Sequence, residues 1–141
     1  MKISLTYDDI QLVPSYSKIS HRGDINLRTL ISRRYGLLNP FVASPMDTVC
    51  EEEMAFKMFT LGGVGCIHRF MSIEEQSSQI RTLAYKIYGE GFGGPYENWD
   101  IVDSSWHAEI QQIPIMAAIG VPEADKARAL SLPNSGANLL L

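Results

Sequence analysis

A repeated unit, in which an apolar segment, polar residues and an amphipathic helix follow one another, begins at Pro40 and most constrains the fold of this chain. The apolar segments are residues 41–46, 64–67, 115–119 and 138–141. Strands that alternate with helices need crossover connections, and such connections give a parallel sheet covered by helices. The sequence therefore predicts an α/β fold, either a doubly wound open sheet or a closed eight-stranded βα barrel.

The length of the chain fits only part of the second architecture. A barrel needs about 250 residues and eight units, whereas the chain has 141 residues. Three units and the start of a fourth strand would make about half of a barrel. No G-x-G-x-x-G follows a predicted strand, which disfavours a dinucleotide-binding open sheet without excluding it.

Two capping boxes predict where the first two helices begin. In this motif a hydroxyl and a carboxylate three residues later each satisfy a free backbone N–H at the helix start. Thr48 and Glu51 fit the motif before the first helix, and Ser72 and Glu75 fit it before the second. The acidic run at residues 51–53 is interpreted as a first helical turn, at the positive end of the helix dipole, rather than as a metal site.

Apolar residues at helical spacing predict which helix faces point to the core. The face of the first helix comprises Met54, Ala55, Met58, Phe59 and Leu61, and Gly62-Gly63 ends this helix. The face of the second helix, which runs to about Tyr88, comprises Ile73, Ile80, Leu83, Ala84 and Ile87. The third helix is predicted to start at Pro122 and to continue over residues 123–130.

Two stretches lie outside the repeated units. Residues 1–39 lack a helical period and predict an N-terminal arm of short strands and loops, so that residues 40–141 form the βα units. The arm is the most basic part of the chain, and we interpret it as a solvated face, with anion binding as the alternative. Residues 89–112 combine glycines with large aromatic side chains, and we expect an ordered loop that docks on a surface, with an aromatic platform for a ligand base as the alternative.

Composition excludes several classes of protein. Twelve Lys and Arg against sixteen Asp and Glu give a net charge of −4, which offers no basic surface for nucleic acid or for an anionic membrane. No apolar stretch reaches the roughly 20 residues of a bilayer span, and no signal peptide opens the chain. The two cysteines, Cys50 and Cys66, make no disulfide framework, so we expect a cytoplasmic location.

Candidate binding residues follow the apolar segments, because ligands bind at the carboxyl ends of parallel strands. They are Ser44, Met46, Asp47, His68 and Arg69. Ser44 would bind rather than attack, since no His and Asp accompany it as in a catalytic triad. His68 and Arg69 suit a phosphate or carboxylate, or else a structural ion pair. The sequence predicts no metal site, and it predicts a structural role for Cys50 in the opening turn of the first helix.

Four ordered blocks of sequence closely resemble the inosine-monophosphate (IMP) dehydrogenase and guanosine-monophosphate (GMP) reductase family. They are residues 5–14 (LTYDDIQLVP), 43–49 (ASPMDTV), 62–69 (GGVGCIHR) and 71–76 (MSIEEQ), with a weaker fifth block around residues 117–126. The resemblance implies a βα barrel whose strand ends bind a purine nucleotide next to a nicotinamide cofactor. It assigns Ser44 and Met46 to the nucleotide and, by analogy with the reductases, Arg69 and Arg22 to the cofactor phosphates.

The resemblance favours an IMP dehydrogenase, which oxidises IMP to xanthosine monophosphate with NAD in guanine nucleotide synthesis. One alternative is a GMP reductase, which converts GMP to IMP with NADPH, and another is a non-catalytic nucleotide-binding or assembly protein. The family's catalytic cysteine and its monovalent-cation loop are expected beyond residue 141, so the segment alone is expected to be inactive. The remaining strands would come from the same or a companion chain, in a homo-oligomer that is a tetramer by resemblance. Residues 89–112 would replace the regulatory modules that many dehydrogenases insert at this place.

Overall fold

An antiparallel hairpin precedes the parallel sheet in the computed structural model, which describes residues 4–89, 114–121 and 123–141. Its strands are β1 (Thr29–Leu30) and β2 (Gly36–Leu37). Before the hairpin the arm consists of exposed loops and two single turns of 3-10 helix, Tyr7–Asp9 and Arg22–Asp24. Apart from Gly89, the aromatic loop predicted at residues 89–112 lies outside the described residues.

Four short parallel strands form the central sheet, which confirms the predicted fold class at the level of an α/β protein with a parallel sheet. The strands are β3 (Val42–Ala43), β4 (Val64–Ile67), β5 (Met116–Ala117) and β6 (Leu139–Leu140). Each strand pairs with the next one along the chain. β4 has the predicted bounds, whereas β3 and β5 are shorter than the apolar segments that contain them.

Helices connect the strands, as predicted. They are α1 (Glu52–Thr60), α2 (Ile73–Tyr88) and α3 (Lys126–Ser131), the last one preceded by a 3-10 turn at Glu123–Asp125. The third helix is thus shorter than predicted, and its expected first residue, Pro122, lies outside the described residues. No helix in the described part of the chain has the length and apolar character needed to cross a membrane.

The glycine pair ends α1 as predicted. The N–H of Gly62 donates to the carbonyl of Phe59 at 2.9 Å, and the N–H of Gly63 donates to that of Met58 at 3.0 Å. These two bonds define a Schellman motif, which requires a left-handed residue after the helix. Gly62 supplies it with a φ of 81°.

The predicted start of α1 is wrong. The helix begins at Glu52, and its N-cap residue, Glu51, makes no side-chain cap bond. Thr48 has a φ of 59°, and its hydroxyl donates to the carbonyl of Asp47 at 2.7 Å instead of capping the helix. The carboxylate of Glu51 faces His68 on another strand end, which removes it from the capping box. Cys50 consequently precedes the helix and does not lie in its first turn.

The predicted core face of α1 is correct only in part. Ala55 and Phe59 are buried, whereas Met54 and Leu61 are exposed. The helix approaches β4 so closely that a Cβ on Gly65 would lie 2.5 Å from the Cα of Ala55. This contact rotates the buried face toward Ala55 and away from Met54.

The start of α2 is confirmed, and its predicted core face is confirmed except that Ile73 and Ala84 are only half-buried. The hydroxyl of Ser72 accepts a bond from the N–H of Glu75 at 3.1 Å, and the Glu75 carboxylate accepts one from the N–H of Ser72 at 2.9 Å. Ile80, Leu83 and Ile87 are buried.

Both faces of the sheet are covered, as is usual for parallel strands. On one face, Ile67, Ile115 and Ala117 pack with the buried residues of α1 and α2. The alternate residues form a second cluster, which consists of Leu37, Val64, Cys66, Met116 and Ala118. Leu37 belongs to β2, so the hairpin covers the face of the sheet opposite the helices.

Candidate functional site

Ser44 and Met46 lie in the loop that follows β3, at the carboxyl edge of the sheet. Both side chains are exposed, that of Met46 to 56%. The carbonyl of Met46 accepts bonds from the N–H groups of Val49 and Cys50, both at 3.1 Å. The turn satisfies the carbonyl of Met46 within the loop, while Ser44 and Met46 are accessible to a ligand.

His68 follows the neighbouring strand, β4, and is only 1% exposed. Its Nδ1 accepts a hydrogen bond from the N–H of Phe70 at 3.1 Å. In the neutral ring the proton therefore lies on Nε2, which is the donor side. Nε2 is 3.5 Å from Oε1 of Glu51 and 3.7 Å from Oδ1 of Asp47.

Asp47, Glu51 and His68 are also a set of side chains that could hold a metal ion, since their ligand atoms lie within 4.8 Å of one another. A metal would need the lone pair of Nε2, whereas the bond from Phe70 favours the tautomer with a proton at that atom. The arrangement fits a hydrogen-bonded cluster better than a ligand set. The absence of a metal site stays a prediction.

Sequence reasoning treated Asp47, Glu51 and His68 separately and missed this cluster. The sequence predicts Asp47 and His68 as candidate binding residues after two apolar segments, and Glu51 as part of a first helical turn. One feature of the sequence could have revealed the cluster. Both carboxylates follow one predicted strand, and the histidine follows the next strand along the chain.

Arg69 lies beside this cluster, with its side chain 42% exposed. One guanidinium nitrogen is 3.8 Å from Oδ2 of Asp125, and the guanidinium carbon lies 5.2 Å from the centre of the Phe70 ring. The side chain is thus oriented by an ion pair and a cation–π contact, and it remains accessible to an anion.

A buried polar network lies next to the carboxyl edge of the sheet. Arg128, which is 8% exposed, donates to Oε1 of Gln76 at 2.6 Å, to the carbonyl of Met71 at 2.8 Å and to Oδ1 of Asp125 at 3.3 Å. The amide nitrogen of Gln76 donates in turn to the carbonyls of Ile67 at 3.2 Å and Ala118 at 3.0 Å. The network joins the ends of β4 and β5 to α2 and α3.

The sequence pattern did not predict this network either. Its signal was Gln76, a polar residue on the apolar face of a predicted helix. A buried amide needs bonded partners, and the partner Arg128 lies 52 residues away.

Arg22 lies apart from these groups in the N-terminal arm. It is exposed in the 3-10 turn Arg22–Asp24. Among the hydrogen bonds and ion pairs of the described residues, none joins Arg22 to Ser44, Met46 or Arg69. The assignment of Arg22 to a cofactor phosphate therefore stays a prediction.

Cys50 and Cys66 are both free and fully buried. Burial raises the pKa of Cys50 to about 11. Burial, together with the neighbouring Cys50, raises the pKa of Cys66 to about 12. Both groups are therefore neutral thiols near pH 7, and such thiols are poor nucleophiles.

Comparison with known proteins identifies the family to which the sequence is similar. Residues 4–141 match the model of the family described as "IMP dehydrogenase / GMP reductase domain". A GMP reductase of Leishmania donovani is 49% identical over 79 residues, which are 56% of this chain and 16% of the relative. An inosine-5'-monophosphate dehydrogenase of Nitrosopumilus maritimus is 47% identical over 79 residues, which are 56% of this chain and 17% of the relative. One of Cryptosporidium parvum is 42% identical over 76 residues, 54% of this chain and 19% of the relative.

The parallel sheet with a candidate site at its carboxyl edge defines an α/β domain of the class that binds ligands at its strand ends. The family match is more specific and covers nearly the whole sequence. The chain belongs to the IMP dehydrogenase / GMP reductase family. It spans 16%, 17% and 19% of the length of the three relatives named above.

Proposed function

We propose that this chain is the first part of the nucleotide-binding domain of an IMP dehydrogenase, which oxidises IMP to xanthosine monophosphate with NAD. The main support for the proposal is that two of the family blocks lie side by side at one edge of the sheet. The loop with Ser44 and Met46 follows β3, and His68-Arg69 follows β4, its neighbour. A purine nucleotide bound by the first loop would thus lie next to a cation suited to cofactor phosphates.

The strand order supports the barrel form of this fold. In a doubly wound sheet the strand order reverses at a switch point, whereas β3 to β6 pair strictly in chain order. The apolar cluster opposite the helices would become the interior of the barrel. In this proposal residues 1–39 are an arm, residues 40–141 are the first βα units, and residues 89–112 stand where a regulatory insertion would be.

The residues divide into two groups by chemistry. The Ser44 hydroxyl would bond to the nucleotide, and the Met46 thioether would lie against its apolar surface. Arg69, and Arg22 from the arm, would bind the cofactor phosphates as fixed cations. A nicotinamide cofactor, when bound, supplies the hydride acceptor. The nucleophilic cysteine and a monovalent-cation loop are expected beyond residue 141, in the same or a companion chain of a cytoplasmic homo-oligomer.

A GMP reductase is the second candidate, and two observations favour it. Two relatives that are 49% identical over 79 residues are GMP reductases of Leishmania donovani and Leishmania major. The exposed Arg69 also suits a cofactor with an additional phosphate. In this case the protein would reduce GMP to IMP with NADPH.

An assay of the protein encoded by the complete reading frame tests the two candidates. We expect NAD reduction in the presence of IMP, measured by nicotinamide absorbance. Activity with GMP and NADPH alone would contradict the dehydrogenase and support the reductase. Nucleotide binding in calorimetry, without either activity, would support a non-catalytic nucleotide-binding or assembly protein.

A matched pair of serine variants tests the assigned site. Ser44→Ala is expected to raise the Kd of IMP about tenfold, which corresponds to one lost hydrogen bond. Ser78→Ala, an exposed serine on α2, should leave the Kd unchanged. Equal Kd values for the two variants would remove Ser44 from the site.

A further inference from the structure

Two carboxylates beside the proposed nucleotide loop share one buried donor. Nε2 of His68 is 3.5 Å from the carboxylate of Glu51 and 3.7 Å from that of Asp47. Both carboxylates are substantially exposed, with side-chain exposures of 49% and 64%. The ring between them is buried, and the bond from the N–H of Phe70 fixes its orientation. A buried ring held in one orientation, with two exposed acids near its Nε2, can set the position of both.

Among the described hydrogen bonds, few join the segment that contains these acids to the rest of the protein. Residues 46–49 are exposed, and Thr48 has a left-handed backbone that a β-branched residue adopts only at a cost. The N–H of His68 donates to the carbonyl of Cys50 at 3.3 Å, so His68 also holds the end of the segment through its backbone. Oε2 of Glu51 accepts a further bond from Gln79 of α2 at 3.4 Å. Asp47 directly follows Met46, so its contact with His68, at 3.7 Å, bears on the loop itself.

We propose that His68 is a positioning residue, which holds the loop of residues 44–49 in its ligand-binding conformation through Asp47 and Glu51. The proposal rests on the proposed function of Ser44 and Met46. Because His68 is only 1% exposed, we assign it no direct contact with nucleotide or cofactor. Its contribution is to keep the loop in place before the ligand arrives, which lowers the cost of binding.

Two amide substitutions test the roles of the two ring nitrogens of His68 separately. Asn places an oxygen near the position of Nδ1, so His68→Asn keeps an acceptor for Phe70 and loses the donor to the carboxylates. Gln places an amide nitrogen near the position of Nε2, so His68→Gln keeps that donor and loses the acceptor. We expect the Kd of IMP, or of GMP if the reductase assignment holds, to rise at least about tenfold in His68→Asn, the effect of losing a charge-assisted bond. In His68→Gln we expect the Kd to stay within about threefold of the wild-type value.

The measurement is calorimetry on the protein encoded by the complete reading frame, together with its urea unfolding. Each variant loses one hydrogen bond of the ring, so both should lose stability. If His68 were merely structural, the Kd of each variant would change in proportion to its loss of stability. Equal Kd values in the two variants would overturn the positioning role. If wild type binds neither nucleotide, the proposed function fails as well. If wild type binds and the variants do not differ, only the positioning role fails.

A second pair tests the same proposal away from the buried ring. Glu51→Gln weakens the bond to His68 and should raise the Kd about threefold to tenfold. Glu53→Gln, which removes the same charge from an exposed position on α1, should leave the Kd unchanged. This pair decides the question if the His68 variants do not fold, and equal effects would overturn the proposal.

Titration with Mn²⁺ and Zn²⁺ tests the alternative role of the cluster. A divalent ion that binds wild type and requires His68 would overturn the proposal in favour of a metal site.

Discussion

Arg128 shows how much one side chain can contribute to the carboxyl edge. Its three donor nitrogens each have a partner, and two of these partners, Gln76 and Met71, are on or near α2. The third partner, Asp125, is also 3.8 Å from the exposed Arg69. The cation predicted to bind a phosphate is therefore oriented by a carboxylate that a buried arginine holds in place.

Truncation of Arg128 is expected to destabilise the fold strongly. Arg128→Ala leaves the Gln76 oxygen without this bond and removes the buried counter-charge of Asp125, so the free energy of unfolding should fall by about 3–5 kcal/mol. Urea unfolding followed by circular dichroism measures the change.

Lys126 of the same helix provides the control for this prediction. It pairs with Glu123 at 3.1 Å, and its side chain is 69% exposed. Lys126→Ala should therefore cost less than about 1 kcal/mol. Similar losses for the two variants would show that the Arg128 network adds nothing to stability.

The two buried thiols predict how stability depends on alkaline pH. The folded pKa values of Cys50 and Cys66, about 11 and about 12, lie above the ordinary value of 9.0. The folded state thus binds these protons more tightly than the unfolded chain, which loses them above pH 9. The thiol contribution to stability should be complete below pH 9 and be lost as the pH rises toward 11 and 12.

Urea unfolding at pH 8 and at pH 10 measures this effect, with a Cys50→Ala, Cys66→Ala double variant as the control. The double variant should lose less stability than wild type between the two pH values. Alkylation by iodoacetamide at pH 8 should be slow until urea is added. Rapid alkylation of the folded protein would contradict the neutral, buried state of the thiols.

At the scale of elements, only one of the two predicted capping boxes forms. Ser72→Ala removes the acceptor for the N–H of Glu75 and should lower the free energy of unfolding by about 1 kcal/mol. The bond from the N–H of Ser72 lowers the pKa of Glu75 below its ordinary value of 4.5. This part of the cap is therefore present above pH 4.5 and is lost as the pH falls through the lowered value. Thermal unfolding at pH 7 and pH 3 measures both effects.

Thr48→Ala is the matched control, because Thr48 occupies the corresponding sequence position before α1. Its hydroxyl donates to Asp47 and caps no helix. The change in unfolding free energy should stay within about 0.5 kcal/mol. A loss as large as that of Ser72→Ala would indicate that Thr48 caps α1 in solution.

The two helix starts show what local sequence can and cannot predict here. The start of α2 followed from its capping box because both bonds of the box join residues only three positions apart. The start of α1 did not follow, because Glu51 has partners 17 and 28 residues away, His68 and Gln79. A capping box competes with tertiary bonds that a local pattern does not contain.

The same limit applies to the candidate site. The positions of Ser44, Met46 and Arg69 at strand ends followed from the periodicity alone. The cluster around His68 and the network around Arg128 did not, because their members come from separate βα units.

At the scale of the whole molecule, the described chain has unpaired strand edges and exposed apolar side chains. In the described sheet, β3 and β6 each pair on one side only. In the arm, Leu12 is 99% exposed and Val13 86%. Unpaired strand edges and large apolar patches favour association with other chains. A barrel, as proposed, would remove the open edges by closing the sheet.

A polypeptide of these 141 residues expressed alone is therefore expected to self-associate. Light scattering coupled to size exclusion should give a mass above that of one chain, and the mass should rise with concentration because the edges and the arm can pair between copies. Leu12→Glu places a charge in the exposed arm and should lower the associated fraction. Tyr85→Glu, at a residue 78% exposed on α2, should have less effect, since it lies outside the arm and both strand edges. A monomer at all concentrations would contradict the expectation, because it would require that neither the strand edges nor the apolar arm is available for pairing.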